Sequence, residues 1–245
     1  MIMKEKHLDY LLVPTGLTVM LAYHIWLLYR IVLHPNKTVI GINATNRKFW
    51  VQAMMEDAPK NGVLAVQTLR NNIMASTLLA STVIMLSSLI ALLMSSSSWE
   101  KSSYNLVFGV RTELGFTIKF FSILVCFLFA FLLNVQSVRY YSHASILINV
   151  PFKKVSSSPH YLHLTAEYVA RTVNRGGYFW SLGLRAFYFS FPLFFWLFGP
   201  IPMLLSCFVL VFMLYFLDVT LEFGSAVAFS DNDHGKDHVA LGMET

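Results

Sequence analysis

The sequence predicts an all-α, polytopic membrane bundle, and three observations carry that prediction. Of the 245 residues, 56% are hydrophobic and 13% charged, with a mean hydropathy of +0.58; an ordinary soluble domain carries about 25% charged residues. Apolar runs long enough for a helix to cross a ~30 Å hydrocarbon core recur along the chain. Basic residues collect between alternate runs, as they do on the cytoplasmic side of a membrane. The composition excludes a soluble enzyme of ordinary type, a disordered chain and a nucleic-acid-binding module. The net charge of +5 therefore reads as topology, not as phosphate-backbone binding.

Three spans are clean: about 11–33, 73–94 and 116–138. Backbone donors in lipid must be satisfied within the segment, so each is a helix. The first run is too long for a cleaved signal and lacks a small-x-small closing site. The third holds Lys119, whose stem can snorkel to the near interface. The fourth region, 187–219, is overlong: 33 residues make a helix of about 50 Å. Gly199-Pro200-Ile201-Pro202 stands in its middle and must kink or break it. Either one long span is broken there, or the chain turns back as a hairpin or re-entrant element. The first half alone is too short to cross, which favours one broken span and a count of four.

The loops 34–72 and 139–186, with their helix ends, hold 12 Lys and Arg, against 6 on the other side. That bias places both loops in the cytoplasm and, with four spans, both termini outside. The sequons at Asn36 and Asn43 then escape glycosylation. In the first loop Phe49, Trp50, Met54 and Met55 stand beside Arg47 and Lys48, a mixture suited to a helix at the headgroup level. Pro59 and Gly62 should interrupt it. In the second loop Tyr161, Leu164 and Tyr168 recur at helical spacing, with Glu167 and Arg171 four apart, a favourable pair. Residues 224–245 form a polar tail. Cys126 and Cys207 lie in apolar runs and read as reduced, small apolar residues.

The two halves share an order of parts: Arg30 and His34 close the first span, and Arg139 and His143 close the third. Any helix–loop–helix unit obeying the positive-inside rule looks similar. The stretches NRKFW (46–50), LRNNIMAS (69–76), QSVRYYSHASILI (136–148) and GGYFWSLGLRAFYFSFPLFFWLFGPIPM (176–203) resemble the plant branch of a membrane family known as domain of unknown function 599. The resemblance implies a multi-pass membrane protein and carries no activity or catalytic residue with it.

Polar groups inside spans are costly and default to functional candidates. The deepest are Tyr23 and His24 in the first span, with Asn134 and Gln136 near the inner end of the third. They are candidates for a solute or ion pathway, although hydrogen bonds between helices explain such residues equally well. Arg30, Arg70, Arg139 and Arg185 all stand at expected cytoplasmic helix ends. Brought together, they would form a basic ring for an anionic lipid headgroup or an entering anion; independent snorkelling is the plainer account. His160, His163 and Glu167 share a face without a metal motif, so no metal site is expected, nor is a cofactor. No reactive set points to an enzyme. Two functional classes remain. One is binding or passage of a small solute, ion or lipid through the bundle. The other is a scaffold that presents its cytoplasmic loops. The expected partner is the bilayer, in a plasma membrane or endomembrane, with assembly into a homo-oligomer left open.

Overall fold

The computed structural model describes residues 2–95, 113–150 and 166–219, with side chains from residue 9 in the first segment and 114 in the second. Among these residues it is a helical bundle: α1 (Ile2–Leu33), a 3-10 turn (Pro35–Lys37), α2 (Val39–Glu56), α3 (Ala58–Ser95), α4 (Glu113–Leu147), α5 (Ala166–Trp196) and α6 (Pro200–Asp218). Four helical stretches are long and apolar enough to cross a membrane: Asp9–Leu33, Ala58–Ser95, Leu114–Leu147 and Pro200–Asp218. Thr38 caps α2, its hydroxyl accepting from the Gly41 amide at 3.2 Å. Asp57 separates α2 from α3, its carbonyl accepting from the amides of Lys60 and Asn61. Pro59 sits in the first turn of α3, where its missing N–H costs nothing. Gly62 continues α3 and makes room for the side chain of Asn149.

Two apolar cores are stacked along the bundle. One joins Met20 of α1, Val83 and Ile90 of α3, Phe120, Ile123 and Phe127 of α4, Leu193 of α5 and Met203 and Cys207 of α6. The other joins Val51 and Met55 of α2 to Leu69 of α3, Tyr141 and Ala144 of α4 and Val169 and Val173 of α5. Helices α3, α4 and α5 run through both. The 38 residues of α3 extend about 57 Å, nearly twice a ~30 Å hydrocarbon core. Hydroxyls tie the shared helices between the cores: Ser76 meets Ser137 at 3.2 Å, and Ser137 donates to the Gly176 carbonyl at 2.9 Å. The headgroup helix expected over 44–57 is thus part of the second core, where α2 buries its apolar side against α5 and α3. An amphipathic stripe needs an apolar cover, and neighbouring helices provide it here instead of lipid.

The break at Gly199-Pro200 stands where the sequence places it. Gly199 has φ 148° and ψ 172°, a region essentially reserved for glycine, and Pro200 opens α6. The two arms fold back on each other, however. Arg185 precedes Gly199 by 14 residues and Asp218 follows it by 19, arms of about 21 and 28 Å. A straight span would separate them by their sum, yet Arg185 Nη2 meets Asp218 Oδ1 at 2.5 Å. The expected single broken span over 187–219 is instead a helical hairpin. Its first arm is the end of a 31-residue helix that begins at Ala166. That arm runs beside α4, with Gly176 against Tyr141, Gly183 against Asn134 and Phe187 on Phe127.

The hairpin also fixes where the last described residue lies. Val219, at the end of α6, forms a β-bridge with Thr38, just past the end of α1. The two helices run in parallel, Gly16 beside Cys207 and Tyr23 beside Asp218. The chain therefore leaves α6 at the α2 end of the bundle, opposite the α5–α6 turn. At the turn end, Lys119 is 1% exposed. Its ammonium lies between the rings of Phe116 and Trp196, at 5.6 and 5.4 Å from their centroids. A cation–π cage takes the place of the expected snorkel.

Candidate functional site

Beside the second core, three helix faces border an open cavity of about 440 Å³, whose lining includes the exposed residues Asn43, Asn46, Ala75 and Trp180. From α2 come Asn43, Asn46, Arg47 and Trp50, spaced i, i+3, i+4, i+7 on one face. From α3 come Thr68, Asn72 and Ala75, and from α5 Val173, Gly177, Trp180 and Ser181; Tyr141 of α4 completes the lining with Ile40. Its volume lies within the usual range of ligand pockets. The lining mixes amides, hydroxyls and indoles with one cation and contains no carboxylate.

Arg47 is held in place by its surroundings. Its Nε donates to the Asn43 carbonyl at 3.0 Å. Its guanidinium lies against the Cα of Gly177, where any side chain would collide with Nη1. The Nε bond occupies one of its five N–H donors. Among the described residues no carboxylate is within ion-pair reach of it. A neighbouring polar bond from Asn174 Nδ2 to the Ala44 carbonyl, 3.1 Å, fastens α2 to α5. So does the ion pair of Lys48 with Glu167, 2.7 Å, on the exposed side. The hydrogen bond from Lys48 holds the Glu167 carboxyl below its ordinary value, and Arg171 adds to the effect.

A second polar cluster lies between α1, α5 and α6. The Tyr23 hydroxyl donates to Asp218 Oδ2 at 2.7 Å, while Arg185 holds the other carboxylate oxygen. Sequence reading assigned Tyr23 to a pathway and Arg185 to a ring; the structure joins them through Asp218. His24, beside Tyr23, is bonded through Nδ1 to the Met20 carbonyl of its own helix at 2.7 Å. Asn134 is wholly buried, bonded back to the Ala130 carbonyl at 2.7 Å and lodged over Gly183. Gln136 is half-buried on α4. The remaining arginines go to different neighbours. Arg30 lies over the Trp26 ring, 5.3 Å from its centroid. Arg70 lines another cavity, at the start of α3. Arg139 is exposed.

None of these eight candidates lines the 440 Å³ cavity. His160, His163 and the tail 224–245 lie outside the described residues. Of the residues that form the cavity, Arg47 and Trp50 stand in the aromatic and basic mixture of the first loop, while most of the others carry no charge and stand outside the apolar runs. One signal was available: Asn43, Asn46, Arg47 and Trp50 repeat at helical spacing, a polar stripe on a helix whose opposite side is apolar.

No curated protein and no solved structure matches the chain. A family model does, the one described as "Protein of unknown function, DUF599", over residues 11–223. With its four long apolar helices and a match over most of its length, the chain belongs to that family.

Proposed function

We propose that this chain is a multi-pass membrane protein that binds a small ligand in the cavity bordered by α2, α3 and α5. The observation that carries the reading is the composition of that cavity: one carboxylate-free arginine, three asparagines and two tryptophans facing a space of about 440 Å³. Polar groups converging in a mainly apolar pocket are the usual mark of a binding site. In this reading the first core lies in the bilayer and the second in the cytoplasm, as the excess of basic residues around α2 and α5 favours. Tyr141 stands 22 residues beyond Lys119 on α4, about 33 Å along the helix, so the cavity falls at the inner headgroup layer. Passage through the bundle is a further step, for which Tyr23, His24, Asn134 and Gln136 remain the candidate residues. A scaffold role is the second reading, favoured by Phe49, 63% exposed on the outer side of α2.

Native mass spectrometry of the chain released from membranes tests the first reading. The unmodified chain is expected to retain a non-protein mass. Ala75→Trp, which fills the cavity from α3, should lower its occupancy at least tenfold while thermal unfolding of the helices stays cooperative. A chain that carries no such mass, or a mass indifferent to Ala75→Trp, would refute it.

A further inference from the structure

We infer that the ligand of this cavity is a phosphate ester, held by Arg47 and the asparagine amides around it; the inference rests on the binding reading above. Three features of the site select that chemistry. The first is charge. Arg47 is the only ionised side chain of the lining, no acid there competes for it, and its Nε bond to the Asn43 carbonyl leaves the terminal N–H donors for a ligand. A guanidinium fixed in this way offers a fork that suits an oxyanion.

The second is donor number. Asn43, Asn46 and Asn72 each carry an NH₂ group, and Thr68 and Ser181 each carry a hydroxyl. A phosphate ester presents more acceptor oxygens to such a set than a carboxylate does, and a neutral apolar molecule would engage none of these donors. The third is depth. The cavity lies about one hydrocarbon thickness from Lys119 along α4, the level at which inner-leaflet lipids hold their phosphates, and it carries Trp50 and Trp180, side chains that favour that boundary. The phosphate can therefore belong to a lipid or to a soluble phosphate ester entering from the cytoplasm.

Gly177 is the positioning residue. Its missing side chain is the space the guanidinium occupies. Gly177→Ala thus displaces Arg47 without changing the charge of the protein, which a merely electrostatic attraction of anions would not notice.

The test uses the full chain in nanodiscs of phosphatidylcholine, alone or with one-tenth phosphatidic acid, and in the phosphatidylcholine discs with glycerol 3-phosphate added. Retention is read by native mass spectrometry. Phosphatidic acid, glycerol 3-phosphate or both should be retained at least tenfold over phosphatidylcholine, and the arm that succeeds identifies the source. Arg47→Gln and Gly177→Ala should each remove at least nine-tenths of that retention. Arg139→Gln, an exposed arginine outside the cavity, should leave it unchanged. Equal loss in Arg139→Gln, or unchanged retention in Arg47→Gln, overturns the inference. So does retention of a neutral amphiphile that Ala75→Trp abolishes and Arg47→Gln does not, an outcome that leaves the binding reading standing. If nothing is retained in any disc, both fall.

Discussion

A guanidinium and a carboxylate 2.5 Å apart, with side chains only 11% and 8% exposed, are expensive to separate. Removing one partner of such a buried pair strands the other, at a cost of about 3–5 kcal/mol. Replacing both with apolar residues is close to neutral. Arg185→Leu or Asp218→Leu alone should therefore lower the unfolding midpoint in detergent sharply, while the double variant recovers most of the loss. Additive losses in that cycle would show that the pair has no coupling. Tyr23→Phe, which removes one hydrogen bond to the Asp218 carboxylate, should cost about 1.5–3 kcal/mol. The sequence exposes Tyr23 and Arg185 as unusual, because each interrupts an apolar context. It cannot expose their partnership. Asp218 reads there as the end of an apolar run, and only the direction of α6 brings it to Arg185.

At the scale of elements, α2 is the informative case. Its mixture of aromatic and basic side chains is legible as amphipathic, but an apolar stripe reads the same whether lipid or another helix covers it. Docking on α5 is what the pattern cannot reveal. The Lys48–Glu167 contact across that junction gives it a pH dependence. Glu167 is held below its ordinary value when folded, so its stabilising contribution is full above the unfolded carboxylate range. It is lost as pH falls through the depressed folded value. Hydrogen exchange of the α2 amides should quicken on acidification below the ordinary glutamate range. Glu167→Gln should abolish that component; an unchanged acid response in the variant would exclude this contact as its source. The hairpin was equally ambiguous in sequence. The helical stripe over 166–186 and the apolar run after it look like a loop and a span, yet they form one helix from Ala166 to Trp196, which runs on through Gly176, Gly177 and Pro192.

For the whole molecule, the number of apolar runs was a sound guide to the helices and a poor one to the path of the chain. The end of α5 runs beside the apolar stretch of α4 although Arg185 lowers its hydropathy. In the proposed membrane setting four helices are long and apolar enough to cross, the end of α5 packs beside them, and α6 ends beside Thr38. A tag after residue 245 should accordingly share the compartment of a tag inserted after Lys37, opposite to one before Met1. Protease protection in sealed vesicles reads this directly, and a tail on the same side as the N-terminus would contradict the parallel course of α1 and α6.

The paired charge on the two arms also bears on how the protein is made. A lone arginine or aspartate at the centre of a membrane helix raises its insertion cost by about 2.5–3.5 kcal/mol. Arg185, about 21 Å before the α5–α6 turn, stands toward the inner end of that arm and would impose a fraction of that cost if the arm left the translocon by itself. Because Asp218 lies 33 residues later, the two arms have reason to wait for each other and partition into lipid as one neutral unit, with Gly199 as the pivot about which that unit closes.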